Sequence, residues 1–159
     1  MPRLLFVLPL ALTTWAGCLT SQSPSAKASD AARELNVTSR FGDSNSVASM
    51  TSPAVREQFL SRRTEWGKLI RVVDVELASF TMTDTEHATV IVDFSWTRVD
   101  QGTLHATRVR QEWSNSEGGD WLLTRERRDS GDIGLFGEPI ARIDPEPRPD
   151  VQFATRVIR

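Results

Sequence analysis

Apolar and polar side chains alternate most regularly between His87 and Val99. Ala88, Val90, Val92, Phe94 and Trp96 share one parity and Thr89, Asp93, Ser95 and Thr97 the other, which is the period-two pattern of a strand with one covered face. Leu69–Met82 alternates too, with Val73, Val75 and Leu77 on one parity and Phe80 and Met82 on the other. The slip of phase at Ala78-Ser79 predicts a bulge. Thr103–Trp113 and Trp121–Arg127 complete a set of four strands, separated by the turn formers Asp100-Gln101-Gly102 and Ser114–Gly119. An even-numbered loop between the second and third strands puts Thr107, Val109, Gln111 and Trp113 on the face of Val90–Trp96. A three-residue loop would instead turn Arg108, Arg110 and Glu112 toward that apolar face, so the first register is expected.

Ahead of the strands the period is helical. Ser29 is placed to cap a short segment carrying Ala32, Leu35 and Val37, and Asp43 a second one carrying Val47 and Met50. The third is the clearest: Ser52 as N-cap, Pro53 in the first turn, then Val55, Phe59, Leu60 and Trp66, with Gly67 as the stop. Arg56, Glu57, Arg62, Arg63 and Glu65 read as its solvated face. After the last strand, Asp129–Glu138 packs three glycines around Leu135 and Phe136 and reads as an ordered turn. Asp144–Asp150 holds three prolines and is expected to run extended, and Val151–Ile158 alternates weakly, as an added edge strand would.

The first 17 residues break this pattern. Arg3 and the α-amine precede an apolar run, Leu4–Leu12, that is too short for a bilayer, which takes about 20 residues. Small residues follow, so the segment reads as a secretory signal. Ala16-Gly17-Cys18 resembles the end of a bacterial lipobox, departing from it at Trp15, where the family has an aliphatic residue. The resemblance implies a lipid on Cys18, the single cysteine of the chain, with cleavage after Gly17. The Ser/Ala-rich stretch over residues 18–29 then reads as a flexible tether. Leu19 following the cysteine favours the outer membrane, facing the periplasm or the cell surface, over the inner one.

The chain of 159 residues then divides into a signal peptide (1–17), a lipidated cysteine with its tether (18–29), an α+β domain (30–128) and a Gly/Pro-rich extension (129–159). The central part, with its turn, amounts to about 105 residues, enough to bury roughly two-thirds of its unfolded surface. A net charge of −2 becomes −3 once Arg3 leaves with the signal. Such a balance gives no nucleic-acid arm and no charge-driven attraction of the whole body to an anionic membrane, so the lipid has to hold the protein there. One cysteine excludes a disulfide framework.

Ser52-Pro53, Arg56-Glu57, Phe59, Glu65-Trp66-Gly67, Val90–Trp96, Arg110–Trp113 and Gly119-Asp120-Trp121 together resemble the nuclear transport factor 2-like (cystatin-like, polyketide-cyclase-like) superfamily. The resemblance implies N-terminal helices packed on a curved four-stranded antiparallel sheet forming a cone. Its lining would come from Phe59, Trp66, Val92, Phe94, Trp96, Val109, Gln111 and Trp113. Members either run acid–base chemistry in the cone or bind something there.

Chemistry is sparse. Catalysis needs an Asp, Glu or His inside the apolar cone, and only His105 has a case, by parity with Thr107 and Val109. The ordinary reading of His105 is a rim histidine near the hairpin turn, and no carboxylate shares its face. Asp74, Asp93 and His87 are expected in water, and Gln111 is the one polar group expected deep. Arg108, Arg110, Arg125, Arg127 and Arg128 form a basic stripe on the outer face, offset by Asp93, Glu112 and Glu126. No metal cluster, phosphate cradle or nucleophile elbow is legible, and no cofactor is expected. The leading expectation is a lipid-anchored, non-catalytic envelope protein binding a protein or a small apolar molecule. The alternatives are a small isomerase or dehydratase with His105 as base, and a structural homodimer.

Overall fold

The computed structural model describes residues 22–140; the signal segment, Cys18, Asp144–Asp150 and Val151–Ile158 lie outside them. Two helices, α1 (Pro24–Ser39) and α2 (Pro53–Arg62), precede four strands: β1 (Ile70–Met82), β2 (His87–Arg98), β3 (Leu104–Asn115) and β4 (Trp121–Gly131). The strands form one antiparallel meander in the order β1-β2-β3-β4. The helices cover its concave face, giving the expected α+β architecture. Among the described residues no helix is long and apolar enough to cross a membrane.

The β2–β3 register is the expected one: Val90 opposes Gln111, Val92 Val109, Phe94 Thr107 and Trp96 His105. Ala88, Val90, Val92, Phe94, Trp96, Val109 and Trp113 are all buried. The bulge expected near Ala78-Ser79 lies between Leu77 and Ser79. A second bulge, between Val72 and Asp74, changes the parity of the strand start, so that Ile70 and Val72 face the core and Val73 is exposed. Two more bend β4, one opposite Glu112/Trp113 and one opposite Arg108/Val109. On the outer face three arginines of the basic stripe make cross-strand pairs: Arg108 with Asp93, Arg110 with Asp129, Arg125 with Glu112. Glu126 is not among them, because the bulge before it turns it inward.

The helices depart further from expectation. α1 starts at Pro24, inside the stretch read as tether, with the Ser23 hydroxyl accepting from the Ala26 amide as N-cap. Ser29 lies within the helix and caps nothing. Small residues suffice here because Ala28, Ala32 and Leu35 fall at helical spacing on a face that packs close to the sheet. Asp43 closes a turn, its carboxylate accepting from the Ser46 amide, and a short 3-10 turn, Ala48–Met50, stands where a second helix was expected. In the helix expected to run from Ser52 to Gly67, α2 ends at Arg62, and Ser52 starts it without a side-chain cap bond. The Ser52 amide instead donates to the Leu123 carbonyl, pinning the helix start to β4. Trp66 packs from the turn that follows.

The extension belongs to the domain at least as far as Ile140. β4 runs on to Gly131, and Leu135 and Phe136 are buried in the core as expected. Gly131 has φ +86°, and a Cβ there would lie 2.4 Å from the Ala106 carbonyl oxygen. Only glycine allows this approach, which lets the Asp132 amide donate to that same oxygen at 2.8 Å. Gly131→Ala is therefore expected to destabilise the domain by about 2 kcal/mol or more, read as a lowered urea midpoint. A second test concerns the outer face. Hydrogen bonding from Arg108 holds the Asp93 carboxyl below its ordinary value of 3.8, against a smaller opposing effect of burial. The pair therefore stabilises the fold fully above that value and loses its contribution as pH falls through the lower, folded one. Arg108→Gln should move the Asp93 carboxyl back up toward 3.8 in an NMR titration; an unchanged midpoint means that the pair is open in solution.

Candidate functional site

All eight residues expected to line the cone are buried. Trp66, Phe94, Trp96, Trp113, Val92, Val109 and Gln111 are at most 2% exposed, and Phe59 is buried as well. They fill the cone by packing on one another. Trp66 meets Phe94 edge-on at 5.6 Å between ring centres and stacks on Phe136 at 6.4 Å. The Trp66 indole N–H donates to the Leu135 carbonyl at 2.7 Å, so the chain after β4 closes over the rings. The clefts lie at the rims: one of about 550 Å³ between α1, Met50 and the β3–β4 turn, and one of about 430 Å³ between Arg40, Phe41 and the start of β1. None of the eight cone residues borders either of these; Phe94 alone borders a third, of about 380 Å³, beside Asp93, Arg108 and Gly131.

What the cone holds in place of a ligand is a set of polar side chains from four elements. Arg63, at the C-terminal end of α2, is buried, contrary to its reading as a solvated residue. Its position explains this: four residues after Phe59, it lies on the same helical face. Its Nη1 and Nη2 donate to the two oxygens of Glu126 at 2.7 and 2.6 Å, a bidentate pair. Glu126 Oε1 also accepts from Gln111 Nε2 at 2.9 Å. Gln111 and Asn36 of α1 exchange two amide hydrogen bonds, both 2.9 Å. The Arg63 guanidinium lies 3.8 Å from the Phe59 ring centre and 4.6 Å from that of Trp66. Gln111 is thus deep, as expected, but its partners are side chains from α1 and β4. The expectation that no acidic group sits inside fails at Glu126. That carboxylate is engaged by Arg63 at both oxygens and by Gln111 at Oε1.

His105 occupies the rim of the cone, stacked on Trp96 with ring centres 4.5 Å apart. The absence of a carboxylate partner is corrected: Asp132 Oδ2 lies 3.3 Å from His105 Nδ1. Asp132 comes from beyond β4 and reaches this place only through the Gly131 turn, so strand parity could not reveal it. It is held by the Ala106 amide, and its own carbonyl accepts from Thr107 Oγ1, which in turn accepts from the Trp96 indole N–H. The other ring nitrogen, Nε2, is covered and has no hydrogen-bond partner among the described residues. His87 is exposed beside Asp84, as expected for a strand start. Among the described residues no group of three or more His, Cys, Asp or Glu side chains is placed to hold a metal ion.

No protein-family model matches the sequence, and no curated protein sequence does. The similarity is to solved structures. A ketosteroid isomerase-like protein from Erwinia carotovora atroseptica superposes with a TM-score of 0.55 at 15% identity, over 67% of this chain and 96% of that one. A SEC-C motif-containing protein from Rhodopseudomonas palustris gives 0.55 at 14% identity, over 67% and 80%. At such identities the likeness is one of fold, and the fold is nuclear transport factor 2-like.

The buried pair sets a test of what fills the cone. Arg63→Ala leaves Glu126 uncompensated and is expected to cost about 3–5 kcal/mol in urea unfolding, whereas Arg63→Met combined with Glu126→Leu should cost far less. Equal losses in the single and double variants would mean that the pair is not the element that holds the cone.

Proposed function

On this fold we propose a lipid-anchored protein of a bacterial cell envelope whose domain works by binding through its surface, with no chemistry in the cone. The observation that carries the second half is the filled interior. Four large aromatic rings and a closed set of side-chain hydrogen bonds occupy the space a substrate would need. A small apolar ligand would have to displace Trp66, Trp96 or Trp113, each almost wholly buried. The anchoring half rests on Ala16-Gly17-Cys18 behind an apolar run. Placement at the outer membrane rests on Leu19 after that cysteine. Because α1 begins at Pro24, only Leu19–Ser23 separate the lipid from the domain, which holds it within about 18 Å of the bilayer.

The enzyme reading has one observation in its favour, the His105–Asp132 pair. Against it stands the covered Nε2, which leaves the ring no nitrogen to present to a substrate. The homodimer reading needs an apolar outer sheet face, and the face carries paired charges.

The anchor is tested by Cys18→Ser. The parent is expected in the membrane fraction with the added mass of acyl chains and without residues 1–17, and the variant uncleaved or released. A membrane-extracted parent whose intact mass shows a free thiol refutes the anchor.

A further inference from the structure

We propose that the flank of the domain along the C-terminal half of α1 and the start of β1 lies on an anionic phospholipid surface. The inference rests on the anchoring proposed above and names the face that the tether brings to the bilayer. Arg33 and Val37 of α1 and its C-cap Arg40 follow one another at i, i+4 and i+7, Arg33 and Val37 exposed and Arg40 half-buried. Phe41 continues this stripe and is 71% exposed; Val37 and Val73 are 43% and 45% exposed. Val73 protrudes at the bulge between Val72 and Asp74, on a strand that among the described residues is an edge of the sheet. Arg40 joins the two elements: its Nη2 donates to the Val73 carbonyl at 2.6 Å, and its guanidinium lies 5.0 Å from the Phe41 ring centre. Its Nε is covered yet lacks a partner in the protein. Arg71 borders the same cleft, and Lys68 and Leu69 stand exposed just before it.

Exposed aromatic and aliphatic groups interleaved with arginines fit the boundary between headgroups and acyl chains. The rings and methyls enter the apolar layer, and the guanidiniums stay at the phosphates, to which they can donate several hydrogen bonds. Charge selects this flank over the others. On the opposite side of α1 the cleft toward the β3–β4 turn is lined by Asp30, Glu34 and Asp120 against the single Lys27. The outer sheet face pairs Arg108, Arg110 and Arg125 with carboxylates and exposes no large apolar group beside Arg127. Of the acidic residues nearest in sequence to the flank, Glu34 lines the opposite cleft and Asp43 accepts from the Ser46 amide, leaving Asp74, beside Val73, against the basic side chains of Arg33, Arg40, Lys68 and Arg71. Reach agrees as well. α1 is about 24 Å long, and five tether residues extend at most about 18 Å, so the flank meets the bilayer when the helix lies along it.

The test uses the chain as cells make it, extracted from membranes with Val37→Cys or, as a control on the far edge strand, Arg127→Cys. Each is spin-labelled and reconstituted into vesicles of phosphatidylethanolamine with phosphatidylglycerol, or of phosphatidylcholine alone. Collision with oxygen against a water-soluble nickel chelate reads immersion. The expected result is an immersed label at 37 and an aqueous one at 127 in the anionic vesicles. Immersion at 37 should be lost in phosphatidylcholine and in the Lys68→Glu/Arg71→Glu variant, whose melting temperature should match the parent's. An aqueous label at 37 in both vesicles overturns the proposal and leaves the flank to a protein partner. Immersion at both positions, or at 37 regardless of lipid charge, overturns it too. Intact mass of the same sample reports the state of Cys18, so failure of the anchor is seen separately from failure of the face.

Discussion

A charged pair in the middle of an apolar cone governs the rest of this structure. Arg63 and Glu126 are both removed from water, a state that costs several kcal/mol per ion unless each charge is met and its remaining valences are satisfied. The protein meets that demand with bidentate geometry, a further hydrogen bond from Gln111, and the π-faces of Phe59 and Trp66 around the guanidinium. Because Gln111 is in turn held by Asn36, a single chain of hydrogen bonds runs α2–β4–β3–α1. Neither helix has a strongly apolar face, and α2 buries Phe59 as its one wholly covered hydrophobic residue. Directional bonds thus do the orienting that a larger hydrophobic stripe does elsewhere.

That arrangement decides where function can reside. The tryptophans, Leu135 and Phe136 close the cone, which is why the function proposed above is assigned to the surface. The surface is uneven in a way that matters: the outer sheet carries mostly paired charges, one side of α1 is acidic, and the β1 flank is basic and apolar. Under the anchoring proposed above, such unevenness would set the orientation of the domain, since attraction and repulsion at anionic headgroups act on different sides of the same helix.

The likeness to solved structures is confined to the path of the chain. Two proteins of different description share the cone at about 15% identity, which is what a fold defined by strand curvature and by apolar parity permits. In this chain the same curvature comes from bulges in β1 and β4, and these bulges also decide which side chains reach the interior.

What the sequence by itself determined is therefore local. Strand parity over Ala88–Trp96 and the sign of the charges opposite it were enough to place the core face and the β2–β3 register, because burying Arg108 and Arg110 would cost more than any loop preference. Arg63 was also legible, as the residue one turn beyond Phe59, had its charge not been taken for exposure. Helix α1 was obscured by its composition, since alanines that pack closely resemble the alanines of a linker. Glu126 and Asp132 depended on tertiary structure alone. A bulge reverses parity without leaving a residue signature at Thr124, and Asp132 reaches His105 only because Gly131 lets two backbones touch. Period and charge act within a few residues; bulges and close approaches are set by what the neighbouring strand requires, and only the assembled sheet supplies that neighbour.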